Sequence, residues 1–153
     1  MLIGQVEVSR VQTVSSVTVD RVAPCAFAAR AMLLSRQGGG AAFDLLRELG
    51  CRVEVETEFY AALSGVIDDP LGYDLFVMDC DGFGGIDAAE RAVSTLIASS
   101  ARMRVILISR DFDAPAYPMG RRSAVSLPAN FSQASFRIGF DHVLRDRVVI
   151  QYS

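Results

Sequence analysis

Side chains able to do chemistry gather in this sequence where short apolar runs stop. Asp79, Cys80 and Asp81 follow Leu75-Phe-Val-Met78, Ser109 and Arg110 follow Val105-Ile-Leu-Ile108, and Ser35 and Arg36 follow Ala31-Met-Leu-Leu34. Leu127 closes a fifth run that begins at Ser123 and is ended by Pro128. Carboxylates at such positions can accept hydrogen bonds, pair with a guanidinium or carry a covalent group, and a hydroxyl can donate to an anion held beside it.

Other chemistries lack their residues. The fifteen basic residues are all arginine, which excludes a Schiff-base lysine and a P-loop lysine. Cys25, Cys51 and Cys80 show no CxxC spacing, and with His142 as the single histidine a zinc site lacks ligands; no metal and no cofactor is expected. A Ser–His–Asp device would have to use His142, which sits among Phe140 and Val143 inside an expected helix and reads as a helix-face residue. Gly38-Gly39-Gly40 precedes a helix but misses the last glycine of a dinucleotide fingerprint, because Phe43 stands there; a loop-to-helix entry, or a small-anion cradle, is the expectation. Asp68-Asp69 before Pro70 and Asp111 with Asp113 read as loop residues. Phe83, beside glycines, is expected as either a half-buried residue or an exposed contact.

The elements that must position these groups alternate regularly. The chain has 153 residues, 51% apolar and 22% charged, with net charge −3: one domain able to build a core, with nothing that favours a nucleic-acid or membrane surface. MLIGQVEVSR has no apolar core flanked by positive charge, so no signal peptide is expected, and no run nears the roughly 18 to 20 apolar residues of a membrane span; a cytoplasmic protein with reduced thiols is expected. Strands are expected at Ala31–Leu34, Cys51–Val55, Asp74–Asp79, Val105–Ile108 and Ser123–Leu127. Helices are expected at Ala41–Leu49, Glu58–Ile67, Ile86–Ala98 and Phe131–Leu144. Pro115, Pro118 and Gly120 exclude a long helix over 110–122. Val6 with Val8 and Val17 with Val19 alternate with polar residues, so 1–28 reads as a strand-rich extension. The β-branched run Arg147–Tyr152 reads as an extra strand in a tail, 146–153. The expected architecture is α/β, a doubly wound five-stranded parallel sheet over 29–145 carrying an N-terminal β-strand extension. Sites in such sheets lie beyond the carboxyl ends of the strands.

Asp74-Leu-Phe-Val-Met-Asp79 resembles the third strand of response-regulator receiver domains, the chemotaxis-regulator-like family with a receiver/flavodoxin-like fold. Gly82-Phe-Gly-Gly-Ile-Asp87 resembles a modified form of the loop that follows it. VILIS at 105–109 resembles the fourth strand with its Ser/Thr, AVSLP at 124–128 the fifth, and LLRELGCRVEV at 45–55 the first helix and second strand. The resemblance implies a phospho-acceptor position at Asp79 and a switch hydroxyl at Ser109. It also implies an acidic pair that holds Mg²⁺ at 35–36, a lysine at 127 and a switching aromatic at 124. Here those last positions read Ser35, Arg36, Leu127 and Ala124. Arg36 is therefore expected either to take the metal's place and fork onto Asp79, or to point to solvent.

These breaks imply a degenerate, non-enzymatic pseudo-receiver that works in two-component signal transduction or transcriptional regulation without phosphorylation, through protein–protein contacts. The expected binding residues are Arg36, Asp79, Asp81 and Ser109. With eight residues, 146–153, after the receiver-like unit, action is expected by docking on a signalling protein, a kinase or regulator, or by homodimerisation. The alternatives are a receiver still phosphorylated on Asp79 and a small-ligand or anion-binding module that uses the strand-end crevice and the glycine loop.

Overall fold

The computed structural model describes residues 28–100, 102–120 and 123–152, the last seven (146–152) by backbone alone. Five strands are present: β1 (Arg30–Leu34), β2 (Arg52–Glu56), β3 (Leu75–Asp79), β4 (Arg104–Ser109) and β5 (Val125–Pro128). They alternate with helices α1 (Ala41–Glu48), α2 (Phe59–Asp68), α3 (Gly85–Ser99) and α4 (Gln133–Tyr152). All pairings are parallel, in the order β2-β1-β3-β4-β5. This is the doubly wound, receiver/flavodoxin-like arrangement, with its topological switch between β1 and β3.

Strand alternation divides the core into two layers. Ala31, Leu33, Leu75, Val77, Ile106, Ile108, Val125 and Leu127 meet α1 and α4 on one face. Met32, Leu34, Phe76, Met78, Val105 and Leu107 meet α2 and α3 on the other. A strand buried on both faces must be apolar at every position, and this is why the runs in β1, β3 and β4 are continuous. β2 is an edge strand with Arg52, Glu54 and Glu56 alternating around Val53 and Val55, and its charges discourage pairing with another sheet.

Local signals set the helix ends. Glu58 caps α2 by accepting the Tyr60 and Ala61 N–H groups at 3.2 and 2.9 Å. Ser132 and Ser135 exchange side chain and backbone bonds at the start of α4, a reciprocal cap. Gly50, at φ 92°, ends α1 in a conformation that other residues rarely adopt.

Beneath the sheet, at the starts of β1 and β3, Arg30 binds Glu54 at 2.6 Å and Asp69 at 3.3 Å and stacks 4.4 Å over Tyr73. Tyr73 in turn donates to Glu54 at 2.5 Å. Asp69 thus serves as a loop residue and an ion-pair partner.

Between β4 and β5 the described residues hold no helix, as the prolines require. An extended strap takes its place. Ala116 pairs antiparallel with Ser126, with N–H to carbonyl distances of 2.8 and 3.0 Å, and so covers the outer edge of β5. The Tyr117 hydroxyl donates to the Ser135 carbonyl at 3.1 Å, and His142 Nε2–H donates to the Pro118 carbonyl at 2.6 Å. His142 is accordingly a strap anchor on a helix face.

The C-terminal segment departs from the sequence expectation. Residues 147–152 continue α4 to Tyr152 and form no strand. Extending an existing helix adds one bond per residue fixed, whereas a lone strand gains nothing without a partner, so the β-branched run Val148-Val-Ile150 is overridden. The expected N-terminal strands over 1–28 lie outside the described residues, except for residue 28 itself.

Candidate functional site

The strand-end crevice is built by β1, β3 and β4 with the turns that leave them. Asp79 is the last residue of β3 and sits opposite Ile108 in the register. A 3₁₀ turn, Cys80–Gly82, then folds the chain back over β4 and aims Asp81 at the next strand end. Asp81 Oδ1 accepts the Ser109 hydroxyl at 2.7 Å, and Oδ2 accepts the Arg110 N–H at 2.9 Å. Ser109 is fully buried, and its oxygen also accepts the Asp111 N–H at 3.0 Å. The hydroxyl proton is therefore committed to Asp81, and a lone pair is committed to the following turn.

Asp79 lies beside this network without a cationic partner among the described residues. Burial raises its carboxyl above the usual aspartate range, the Asp81 charge raises it further, and the Asp81 backbone N–H partly offsets both. The ionised form of Asp79 is thus disfavoured in the partly buried crevice.

Arg36 does not fork onto Asp79. Its Nε donates to the Gly82 carbonyl at 2.6 Å, and its guanidinium lies 5.3 Å over the Phe83 ring. The reason is local. Gly82 has no side chain, and a Cβ there would come within 3.0 Å of Arg36 Cγ, so the glycine lets the arginine stem lie across the turn. Phe83 is half-buried and packs against the α2–α3 core, giving the cation an aromatic face. Arg36 is exposed, yet it is held by the loop and is not free in solvent.

The remaining positions are equally defined. Ser35 is buried at the end of β1, with its N–H on the Glu56 carbonyl at 3.0 Å. Leu127 is fully buried in the α1–α4 layer and does not line the crevice. Pro128 sits opposite Ser109 at the end of β4, and the next residue, Ala129, donates its N–H to the Ser109 carbonyl at 3.1 Å. Side chains alternate along a strand, and Leu127 shares with Val125 the face packed against α1 and α4. Ala124 is half-buried against the α2–α3 layer. Neither Leu127 nor Ala129 brings a charge to the crevice.

Among the described residues no group of three or more His, Cys, Asp or Glu is arranged to hold a metal ion. Burial pushes the thiols of Cys51 and Cys80 up to about 12, which leaves them as inert core groups. Gly38 and Gly40, at φ 73° and 93°, turn the chain into α1, and Gly40 precedes the helix with no side-chain cap.

The structure therefore brings Asp79, Asp81 and Ser109 together and sends Arg36 to a neighbouring groove. That groove is a feature the strand-end rule does not reach. It runs between α2 and α3, holds about 420 Å³, and is lined by Phe59, Tyr60, Phe83, Ala88, Arg91 and Arg36 among others. Of its lining residues the sequence singles out Phe83, an aromatic among glycines, and Arg36, expected at the strand-end crevice instead. Compared with protein-family models and with curated proteins, the sequence matches none.

Proposed function

We propose that this chain is a pseudo-receiver, a degenerate relative of response-regulator receiver domains that acts in signal transduction or transcriptional regulation by docking on another protein without being phosphorylated. The observation that carries the reading is the Ser109–Asp81 bond. In the receiver resemblance, the hydroxyl at this strand end must be free to bond a phosphoryl group on Asp79. Here its proton is held at 2.7 Å by a neighbouring carboxylate, and such charge-assisted bonds are about twice as strong as neutral ones.

The charge balance supports the same reading. A phosphoryl group adds roughly −1.5 to −2 at neutral pH, beside two carboxylates and with no lysine anywhere in the chain. Arg36, the cation expected beside Asp79, is bonded instead to the Gly82 carbonyl and lies over Phe83. Among the described residues no helix is long and apolar enough to cross a membrane; the cytoplasmic setting is part of the proposal.

Recovery of partner proteins from the native cell with tagged wild type and the Asp79→Ala variant tests the proposal. Equal recovery is expected. Loss of the partner with Asp79→Ala would return the chain to the phosphorylated class.

A further inference from the structure

Protein interfaces concentrate their binding energy on aromatic residues and arginine, set around pockets. One face of this molecule has that composition. α2 exposes Tyr60 (72% exposed) and, seven residues on and so on the same helical face, Ile67 (36%). Leu71 (73%) follows just beyond the helix end. These are three of the five large exposed apolar residues among the described part of the chain; the others, Met119 and Ile138, lie in the strap and on α4.

Tyr60 also forms one wall of the α2–α3 groove. Phe59 meets it edge-on at 5.1 Å, and Phe83 lies 6.5 Å from Phe59. Ala88 and Ala92 on α3 keep the opposite wall low. Two guanidiniums serve this groove. Arg36 uses Nε on Gly82 and leaves its terminal nitrogens without a bond to the described residues, and Arg91 makes no ion pair among them.

From this juxtaposition we infer that the α2–α3 groove is a docking site for an acidic, amphipathic segment of a partner protein, which sets an apolar side chain between Tyr60 and Phe83 and a carboxylate against Arg36 and Arg91. Charge complementarity selects this occupant. A second copy docked through the same patch would bring Arg36 and Arg91 against their own counterparts, a like-charge contact. The groove is open and shares Tyr60 with the exposed face of α2, whereas small-molecule pockets enclose most of their ligand. Asp87 and Glu90 flank Arg91 on its outer side, so the partner's carboxylate is confined to the inner side of the groove. The opposite end of the molecule offers no equivalent surface at β5, because the strap covers that edge.

The inference deepens the pseudo-receiver reading by naming the docking face. A photoreactive benzoylphenylalanine placed at position 60 in the full chain, and at Ile138 as control, tests it in the native cell. The expected result is a cross-link from position 60, absent from position 138, to a net-acidic segment of another protein. Arg36→Ala with Arg91→Ala should lower its yield at least about tenfold, as expected for removal of groove charge pairs. Both positions are exposed, so neither replacement disturbs the core. No cross-link at position 60, or a cross-link to a basic segment, a second copy of this chain or a small molecule, would overturn the inference. A position-60 cross-link lost in Asp79→Ala but otherwise as described would support the groove and refute phosphorylation independence, so the two claims fail separately.

Discussion

Asp81 is the pivot of the crevice, and its removal has a calculable consequence. Asp81→Ala deletes two hydrogen bonds, one from the fully buried Ser109 hydroxyl and one from the Arg110 N–H at the exposed rim. A bond to a charged group contributes about 1.5–3 kcal/mol, and the donor left behind inside the protein adds to the cost. Water can replace the rim bond, so the Ser109 bond dominates and the expected loss is about 2 kcal/mol. In a domain of this size that lowers the melting temperature by roughly 6 °C. Ser109→Ala removes the other end of the same bond and should cost a similar amount. The double variant should cost little more than either single one, with a coupling energy of about 1.5 kcal/mol. Urea unfolding followed by circular dichroism on the four proteins measures this. Additive losses, or a coupling below about 0.5 kcal/mol, would show that the hydroxyl is not committed to Asp81 and would remove the main support for a silent crevice.

Two pH-dependent effects of opposite sign follow from the carboxylates. The folded state raises Asp79 above its ordinary range, so ionised Asp79 opposes folding at neutral pH; Asp79→Asn should raise the urea midpoint at pH 7, with the gain fading as pH falls through the raised value to below the ordinary aspartate range. The Tyr73 hydroxyl and Arg30 lower Glu54 below its ordinary range, so its contribution is present above the usual glutamate value and lost as pH falls through the lowered one. Glu54→Gln should therefore cost about 1 kcal/mol at pH 7, a value reduced by exposure and by salt, and almost nothing in acid. Gly84 sits at φ 101° with Ala88 close by, and Gly84→Ala should cost about 1–2 kcal/mol in the same unfolding assay.

The parallel sheet was readable because double burial leaves a mark that few other structures leave, four or five consecutive apolar residues between polar ends. The strand-end rule then located Asp79, Asp81, Ser109, Ser35 and Arg36 correctly at one end of the sheet. Orientation is harder to read. Leu127, the position where the receiver resemblance implies a lysine, falls with Val125 on the face packed against α1 and α4, and Pro128 is the residue opposite Ser109. Nothing in a single sequence fixes that phase when the strand is four residues long. Arg36 was weighed against Asp79 and solvent, while its actual partners, the Gly82 carbonyl and the Phe83 ring, depend on the path of a turn 46 residues away. The valine-rich C-terminus misled for a related reason, since β propensity records the surroundings a residue meets, and here those surroundings are a helix already under way. The α2–α3 groove left no local trace, because its walls come from separate elements that only the fold brings together.

The central claim is that the crevice does not accept a phosphoryl group. Incubation of the purified chain with Mg²⁺ and a small acyl phosphate, followed by intact-mass measurement, tests it most directly. The account predicts an unchanged mass for wild type and for Asp79→Ala alike. A mass gain of one phosphoryl group on wild type that disappears in Asp79→Ala would contradict it.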